Sequence, residues 1–365
     1  MTRLLVVDDS ALMRKLLGEI FAAQPDFEVA FARNGVEALQ QLSDFAPDVV
    51  TLDVHMPEMD GLTCLDRIMV ERPCPVVMVS ALTEEGAEAT LEALRLGAVD
   101  FVAKPGGAVS LGIDEMAPRL VQTVRAAAGA RLRPSLRLRE RVRHRIGEAS
   151  RGAPKARADA NAPAQAPVRA TGDGLVLVGT STGGPPALEA LLTPLPADFP
   201  WPILIAQHMP PSFTGALARR LDGLCQISVA EVQRPVPLQP GCAYIGRGDA
   251  DIIVSRRTSG LVAMAAPVRQ GYPWSPSTDR LVRSAMEHLP ASQLIGVLMT
   301  GMGDDGAKAM ALLHARGGAT IAEAEETAVV WGMPGELVKA GGAGRVLPLP
   351  AIAAGLLELV PGAKS

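Results

Sequence analysis

Three kinds of side chain in the second half of the sequence have the chemistry needed to activate a serine. Ser181 lies between glycines in Gly-Thr-Ser-Thr-Gly, and His208 follows the apolar run Ile203–Ala206. Asp304 and Asp305 follow a second apolar run. An imidazole can take the proton of a serine hydroxyl while a carboxylate orients the ring. This set predicts a hydrolytic site, with both aspartates as candidates for the acid.

Other interpretations of these residues are open at this point. The glycine turn around Ser181 could be an ordinary strand-to-helix connection or a phosphate-binding loop, although its spacing matches neither phosphate-loop pattern. Asp304 or Asp305 could simply cap the following helix. Three further histidines lie in the linker or in predicted helices without a partner cluster, namely His144, His288 and His314.

Five polar residues of the first half follow predicted buried strands: Asp8, Asp9, Asp53, Ser80 and Lys104. Three carboxylates at one sheet edge would repel each other unless a cation neutralised them, and Mg²⁺ with its oxygen ligands suits this demand. One carboxylate could then accept a phosphoryl group, with the lysine stabilising the transferred charge and the serine responding to the new phosphate. A helix cap is the alternative, but it explains only the first pair.

Alternating strands and helices must position the residues of the first half. In residues 1–124 apolar runs alternate with amphipathic segments of helical length, which predicts βαβ units and a parallel sheet with its site beyond the carboxyl ends of the strands. The predicted strands are Leu4–Val7, Val49–Leu52, Val76–Val79 and Val99–Val102, and the predicted helices are Ala11–Ala22, Val36–Leu42, Leu62–Val70 and Ala87–Leu96.

Residues 173–365 predict a second α/β domain with a largely parallel sheet. Strands at Leu175–Val178, Ile203–Ala206 and Leu294–Met299 would bring the serine, the histidine and the aspartates to one edge of that sheet. Short β-like segments separated by turn residues predict a small antiparallel insertion over 226–265.

Residues 125–172 predict a linker between the two domains. The stretch from Arg125 to Arg169 holds twelve basic and three acidic residues, and its second part is rich in Ala, Pro and Gly. That composition favours a helix tail followed by flexible, extended chain. A basic run can also contact nucleic acid or an acidic membrane, but no aromatic residue is interleaved with this one.

Composition limits the classes of function that fit. A chain of 365 residues with 48% hydrophobic content predicts about two core-forming domains. An aromatic content of 3% and a net charge of −4 argue against a nucleic-acid surface. The sequence shows no signal peptide or bilayer-spanning run, and its four cysteines lack metal or disulfide spacing. We therefore expect a cytoplasmic protein without nucleic-acid binding or membrane insertion.

The first domain resembles the receiver domain of two-component response regulators. The matching segments are Val6–Ser10, Pro47–Asp53, Met56–Gly61, Val79–Ala81 and Phe101–Pro105. The resemblance implies a flavodoxin-like doubly wound fold, phosphorylation of Asp53, and support from Ser80 and Lys104. It also implies a Mg²⁺ site formed by Asp9, Asp53, the backbone carbonyl of His55 and, through water, Asp8.

The second domain resembles the chemotaxis protein-glutamate methylesterase family, which joins a receiver and a catalytic domain in this order. The motifs that carry the resemblance are Gly179–Gly184, Gln207–Pro211, Ala243–Ile245 with Gly248-Asp249, Pro276–Asp279, Thr300–Gly306 and Val329–Pro334. The resemblance implies a triad of Ser181, His208 and Asp305. It also implies oxyanion stabilisation at the backbone near Met302, with support from Thr182.

The implied function is phosphorylation-activated hydrolysis of γ-glutamyl methyl esters on methyl-accepting chemotaxis receptors, with deamidation of receptor glutamines as a second activity. A chemotaxis histidine kinase would be the phosphodonor, and ester hydrolysis would need no cofactor. Ser275 stands where the family often has an arginine, so substrate contacts of that loop are expected to differ. A competing hypothesis is a phospho-switched module that binds nucleic acid through the arginine run, but it leaves His208 and Asp305 unexplained.

Overall fold

The computed structural model describes residues 1–81, 83–104, 109–130 and 174–361. Most of the predicted linker lies outside these residues, together with the arginine run and His144. Among the helices that are described, none combines the length and the apolar character that crossing a membrane requires.

The first sheet has five parallel strands in the order β2-β1-β3-β4-β5. Its strands are β1 Thr2–Val7, β2 Phe27–Ala32, β3 Val49–Asp53, β4 Val76–Ser80 and β5 Asp100–Ala103. The helices of this half are α1 Ala11–Ala22, α2 Gly35–Asp44, α3 Gly61–Glu71, α4 Glu84–Leu96 and α5 Val109–Ala128. The strand order confirms the prediction of a flavodoxin-like doubly wound sheet.

Capping side chains determine where the first four helices begin. The caps are Ser10, Asn34, Asp60 and Thr83. Each accepts a hydrogen bond from a backbone N–H in the first helical turn, which satisfies a donor that the helix itself leaves free. These caps define the βα turns at the carboxyl edge of the sheet, where the predicted acidic residues lie.

Strand β2 was not predicted from the apolar pattern. It is an edge strand, and its inner residues are exposed or half-buried while Phe27 and Ala32 at its two ends are buried. A strand of this kind has no continuous apolar run, so hydrophobicity alone does not identify it.

The second sheet has seven parallel strands in the order β15-β14-β13-β6-β7-β10-β8. Its strands are β6 Leu175–Thr180, β7 Ile203–Gln207, β8 Ser228–Val232, β10 Cys242–Gly246, β13 Leu294–Leu298, β14 Ala319–Glu323 and β15 Arg345–Leu347. The central strands β13, β6 and β7 are buried along their whole length, which explains why they read as continuous apolar runs.

The predicted antiparallel insertion is present but smaller than 226–265. It consists of β9 Val236–Pro237, β11 Asp251–Arg257 and β12 Gly260–Ala266, in the order β11-β12-β9. Strands β8 and β10 belong instead to the parallel sheet. The connection between them includes β9 on the other sheet, so the chain crosses over and returns in the same direction.

Among the described residues of the second half, six helices and one short 3-10 helix accompany the second sheet. They are α6 Gly184–Leu192, α7 Pro211–Leu224, α8 Thr278–Met286, the 3-10 helix Ala291–Gln293, α9 Ala307–Ala315, α10 Met333–Lys339 and α11 Leu349–Leu359. Four of them, α6, α7, α10 and α11, carry proline in the first turn, where its missing N–H removes no helical hydrogen bond. Strand β15 and helices α10 and α11 were not predicted.

The two halves pack against each other. Helix α4 of the first half contacts helix α7 of the second, and the rings of Phe101 and Phe213 lie 4.4 Å apart between centroids. Beside them, Arg220 Nη1 lies 3.6 Å from Glu92 Oε2. Buried side chains of both halves form one continuous hydrophobic cluster.

Candidate active site

Ser181 lies in the turn between β6 and α6. Gly183 in this turn has φ +74°, a left-handed conformation that favours glycine. A Cβ on Gly184 would lie 1.9 Å from Gln207 Oε1 and 2.7 Å from Thr180 Oγ1, so a larger residue would displace these side chains. The glycines of the motif therefore allow the tight turn and a close approach to the neighbouring strand.

His208 lies beside Ser181 because β6 and β7 are parallel neighbours. Their register pairs Thr180 with Gln207, the last residues of the two strands, so the serine and the histidine are the next residues on each. The backbone N–H of His208 donates to the Thr180 carbonyl at 3.1 Å. The amide of Gln207 donates to the Ser181 carbonyl at 3.0 Å and holds the two turns together.

Asp305 contacts the imidazole directly. His208 Nε2 lies 2.8 Å from Asp305 Oδ2. The same carboxylate accepts hydrogen bonds from the Ser277 hydroxyl at 3.0 Å and from the backbone N–H groups of Thr278 at 2.6 Å and Asp279 at 3.1 Å. Burial alone would raise the pKa of Asp305, but the hydrogen bond with His208, its charge and these N–H groups lower the pKa below the ordinary value.

Asp304 points elsewhere. Its carboxylate lies 3.1 Å from Lys308 Nζ, and half of its side chain is exposed. Of the two adjacent candidates, Asp305 is therefore the one that the structure places against His208. The residues that hold it are Ser277, which caps α8, and Thr278, which begins that helix. Both belong to the motif Pro276–Asp279, but their contact with Asp305 depends on tertiary structure.

Thr300 organises the turn after β13 around the serine. Its carbonyl accepts the backbone N–H of Ser181 and the hydroxyl of Thr180, each at 3.0 Å. Its own hydroxyl donates to the Thr182 carbonyl at 2.8 Å, and its N–H donates to Glu323 at 2.8 Å. Thr300 begins the motif Thr300–Gly306, but the sequence assigned it no role and did not identify the buried Glu323, because polar residues at strand ends are common.

Met302 and Thr182, which were both predicted to support the oxyanion, have different surroundings in the structure. The turn that contains Met302 passes next to the nucleophile, since a Cβ on Gly301 would lie 2.8 Å from the Cβ of Ser181. The Thr182 hydroxyl instead donates to Asp100 Oδ2 in the first half, at 2.5 Å. In this structure the Thr182 side chain therefore joins the two halves.

A second polar site lies at the carboxyl edge of the first sheet. Ligand oxygens of Asp8, Asp9 and Asp53 lie within 4.8 Å of one another, and they form the one group with this metal-binding character among the described residues. Lys104 Nζ lies 2.9 Å from Asp8 Oδ2 and 2.8 Å from Asp53 Oδ2. Burial raises the pKa of Asp53 despite the opposing hydrogen bond and charge of Lys104. Oxygen donors of this kind fit Mg²⁺.

Ser80 and His55 lie at the same edge. The buried Ser80 hydroxyl donates to the Gly86 carbonyl at 3.2 Å, at the start of α4. The His55 residue is exposed.

Comparison with known proteins assigns both halves to families. Residues 4–112 match the response regulator receiver domain, and residues 176–356 match the CheB methylesterase domain. The chain is similar to protein-glutamate methylesterase/protein-glutamine glutaminase 2 of Rhodopseudomonas palustris, with 59% identity over 98% of each chain. It is also similar to protein-glutamate methylesterase/protein-glutamine glutaminase 3 of Rhodospirillum rubrum, with 53% identity over 97% of this chain and 95% of the relative.

A solved structure matches the second half. The CheB methylesterase catalytic domain of Thermotoga maritima is 37% identical, with a TM-score of 0.50, and the match covers 52% of this chain and 100% of that structure. The chain belongs to the CheB methylesterase family, in which a response regulator receiver domain precedes the methylesterase domain.

Proposed function

We propose that this protein hydrolyses γ-glutamyl methyl esters on methyl-accepting chemotaxis receptors and deamidates receptor glutamines. The observation that carries the proposal is the hydrogen bond between His208 and Asp305 at the strand edge where Ser181 also lies. The names of the relatives, which join methylesterase and glutaminase, support both reactions. The proposed domains are a receiver at 1–124, a linker at 125–172 and a catalytic domain at 173–365.

In the proposed mechanism Ser181 is the nucleophile and His208 the general base. Asp305 accepts from Nε2, so Nδ1 is the ring nitrogen that receives the serine proton. Nδ1 is buried and has no hydrogen-bond partner among the described residues. As Ser181 Oγ bonds to the ester carbon, its proton moves to Nδ1. The imidazolium then gives this proton to the methoxide oxygen as the C–O bond breaks, so methanol leaves, and water hydrolyses the acyl-enzyme.

The oxyanion is stabilised by the turn after β13 in this proposal. The N–H groups of Ser181 and Gly301 donate to the carbonyls of Thr300 and Val330, so they are already used. The backbone from Met302 onward is the remaining part of this turn beside the nucleophile. No cofactor takes part in these steps.

Phosphorylation of Asp53 activates the enzyme in this proposal, with a chemotaxis histidine kinase as the donor in the cytoplasm. Asp8, Asp9 and Asp53 would hold Mg²⁺, together with the backbone carbonyl of His55, and the ion would neutralise charge on the incoming phosphoryl group. Lys104 stabilises the phosphoryl oxygens, and Ser80 responds to the new phosphate by changing its hydrogen bond to the Gly86 carbonyl at the start of α4.

The receiver restrains the catalytic domain by covering its site. Ser181 and His208 are each only 8% exposed in the whole chain. Thr182, next to the nucleophile, donates to Asp100, and Val329 packs against the core of the receiver. Since a receptor helix must reach Ser181, the domains have to separate before substrate binds.

Methanol release from methylated receptor membranes tests the proposal. The full chain should release methanol, faster with a small phosphodonor and Mg²⁺, and Ser181→Ala should lower the rate by about 10⁴-fold or more while the protein stays folded. A fragment that starts at Gly172 should be active without a phosphodonor. Substantial turnover by Ser181→Ala would rule out the assigned nucleophile, and a fragment no faster than the unphosphorylated chain would rule out occlusion.

A further inference from the structure

The indole of Trp274 stacks parallel to the imidazole of His208. The ring centroids are 5.2 Å apart and the two planes differ by only 6°. The tryptophan is in the segment between β12 and α8, and it is partly exposed whereas His208 is buried. The indole therefore covers one face of the ring that Asp305 holds by its edge.

The other contact of Trp274 is the turn that leads to Asp305. A Cβ on Gly303 would lie 3.2 Å from Trp274 Cζ2 and 3.5 Å from its Nε1, and Gly303 has φ +83°. The absence of a side chain at Gly303 leaves room for the indole beside the turn. Trp274 thus contacts both His208 and the turn that carries its carboxylate partner.

The electrostatic surroundings of His208 are simple. Asp305 is its direct ionic partner. The N–H of Asp279 donates to Asp305, and the carboxylate of Asp279 accepts a hydrogen bond from the N–H of Ala309. Two further charged pairs lie on the same elements, Asp304 with Lys308 and Asp251 with Arg280. Asp100 of the receiver faces Thr182. The imidazole therefore has a carboxylate at its edge and an aromatic face above it.

Stacking of this kind affects the charged form of the ring more than the neutral form. A cation over an indole face is attracted by the ring quadrupole, and this attraction is stronger where water is excluded. His208 becomes positively charged when it takes the proton of Ser181, so the indole would favour the charge that develops during attack. The parallel stack also limits rotation of the imidazole, so the ring keeps its hydrogen bond with Asp305.

We propose that Trp274 is a positioning residue, which fixes the plane of His208 and stabilises the imidazolium formed as Ser181 attacks the ester. This inference rests on the function proposed above, because it concerns the same proton transfer. It identifies a residue outside the triad, in the loop where Ser275 replaces the usual arginine.

Two variants distinguish the effect of an aromatic face on His208 from the effect of merely shielding the imidazole from water. Trp274→Phe keeps a π face over His208, whereas Trp274→Leu keeps an apolar side chain without one. In the full chain activated with a phosphodonor, we expect Trp274→Leu to lower kcat about three- to tenfold relative to Trp274→Phe, with a smaller change in KM. The acid limb of the pH–rate profile should move to lower pH in Trp274→Leu, because the imidazolium is no longer favoured.

Fluorescence gives a readout that does not need turnover. Protonated imidazole quenches a stacked indole, so the emission of Trp274 should fall as pH is lowered in the full-length Ser181→Ala variant. The emission of the matching variant that also carries Trp274→Phe is subtracted to remove Trp201 and Trp331. The step should disappear when His208→Gln is added.

The outcomes distinguish this inference from the function on which it rests. If Ser181→Ala kept its turnover, the proposed function itself would be wrong. If Ser181→Ala is inactive but Trp274→Phe and Trp274→Leu have the same kcat and the same acid limb in their pH–rate profiles, only the proposed role of Trp274 is overturned. If Trp274→Leu fails to fold, the fluorescence titration decides, and the lack of a step that depends on His208 overturns the stacking.

Discussion

The hydroxyl of Thr182 donates a hydrogen bond to the carboxylate of Asp100, with 2.5 Å between Oγ1 and Oδ2. One partner is adjacent to the proposed nucleophile, and the other begins the strand β5 that leads to Lys104. This contact directly joins the loop that holds Ser181 to the receiver. A change in either domain can therefore reach the other through two neighbouring side chains.

Removing this contact should raise activity in the absence of phosphorylation. Asp100→Ala removes the acceptor, and a hydrogen bond of this type contributes roughly 1 kcal/mol, or about fivefold in the docking equilibrium. We expect methanol release by the unphosphorylated chain to rise by about that factor. Glu28→Ala, which removes an exposed carboxylate paired with Arg3, is the control and should leave the rate unchanged. An Asp100→Ala chain as slow as the control would show that the contact does not restrain the enzyme.

The same contact should make the restraint depend on pH. Burial raises the pKa of Asp100 above the ordinary 3.8, although the hydrogen bond from Thr182 opposes this. Separation of the domains would hydrate the carboxylate, so the docked form holds its proton more tightly than the separated form. Docking should weaken as pH rises through the raised pKa and strengthen as pH falls towards the ordinary value.

The measurement for this pH effect is the ratio of two rates. The rate of the unphosphorylated chain is divided by that of the fragment from Gly172, which cancels the pH dependence of the catalytic steps. The ratio should rise with pH across the acidic range. With Asp100→Asn, which cannot ionise, it should become flat, and a slope that survives this substitution would assign the effect to another group.

Charge pairing across α4 and α7 should also contribute to docking. Arg220 lies 3.6 Å from Glu92 and 3.7 Å from Glu189 of its own domain, and all three side chains are partly exposed. Such pairs contribute only about 0.2–1 kcal/mol, so Arg220→Ala should raise the unphosphorylated rate at most about fivefold. Arg220→Glu should raise it further because it opposes two carboxylates. Combination with Glu92→Arg should restore part of the restraint, and equal rates for the single and double variants would contradict this.

The carboxylate of Asp305 should matter for the rate more than for the fold. Asp305→Asn keeps the shape of the side chain but provides no charge for the imidazolium and can select the wrong tautomer of His208. We expect kcat to fall by about 10³–10⁴-fold. Asp304→Asn is the matched control, since that residue pairs with Lys308 instead, and it should change kcat less than twofold. Comparable losses in both variants would mean that the acid has been assigned wrongly.

Removal of divalent cations should separate activation from hydrolysis. EDTA should abolish the stimulation of the full chain by a phosphodonor, because the carboxylates of Asp8, Asp9 and Asp53 would then repel the phosphoryl group. It should leave the fragment from Gly172 fully active. Asp53→Asn should likewise remove the stimulation while the basal rate remains. Loss of activity by the fragment in EDTA would mean that the hydrolytic step itself requires a metal.

Much of this arrangement could be predicted from the sequence because parallel strands place their carboxyl ends at one edge. That rule predicted that Ser181, His208 and an aspartate would lie near each other, although the catalytic roles of all three stay predictions. It could not choose between Asp304 and Asp305 from the residues alone. The choice depends on which carboxylate meets the N–H groups of α8, and α8 is distant in sequence.

Other features of the structure could not be predicted from local sequence patterns. Strand β2 was missed because an edge strand needs no continuous apolar run, and β8 and β10 were placed in the wrong sheet because strand direction depends on the crossover between them. The stack of Trp274 on His208 and the contact of Thr182 with Asp100 join residues 66 or more positions apart. Such contacts follow from tertiary packing, which neither hydrophobic period nor motif spacing describes.

The contact between the rings of Phe101 and Phe213 also limits how freely the two halves can be exchanged between related proteins. Both rings are buried in the whole chain, and each contacts the other across the junction between the two halves. A chimera that takes its receiver from another organism would keep Phe213 without Phe101. The packing between the two halves would then be too loose or too crowded. In such hybrids the inhibition of the unphosphorylated protein should be lost before catalytic activity is lost. The inactive form therefore depends more strongly on matched domains than the active form does.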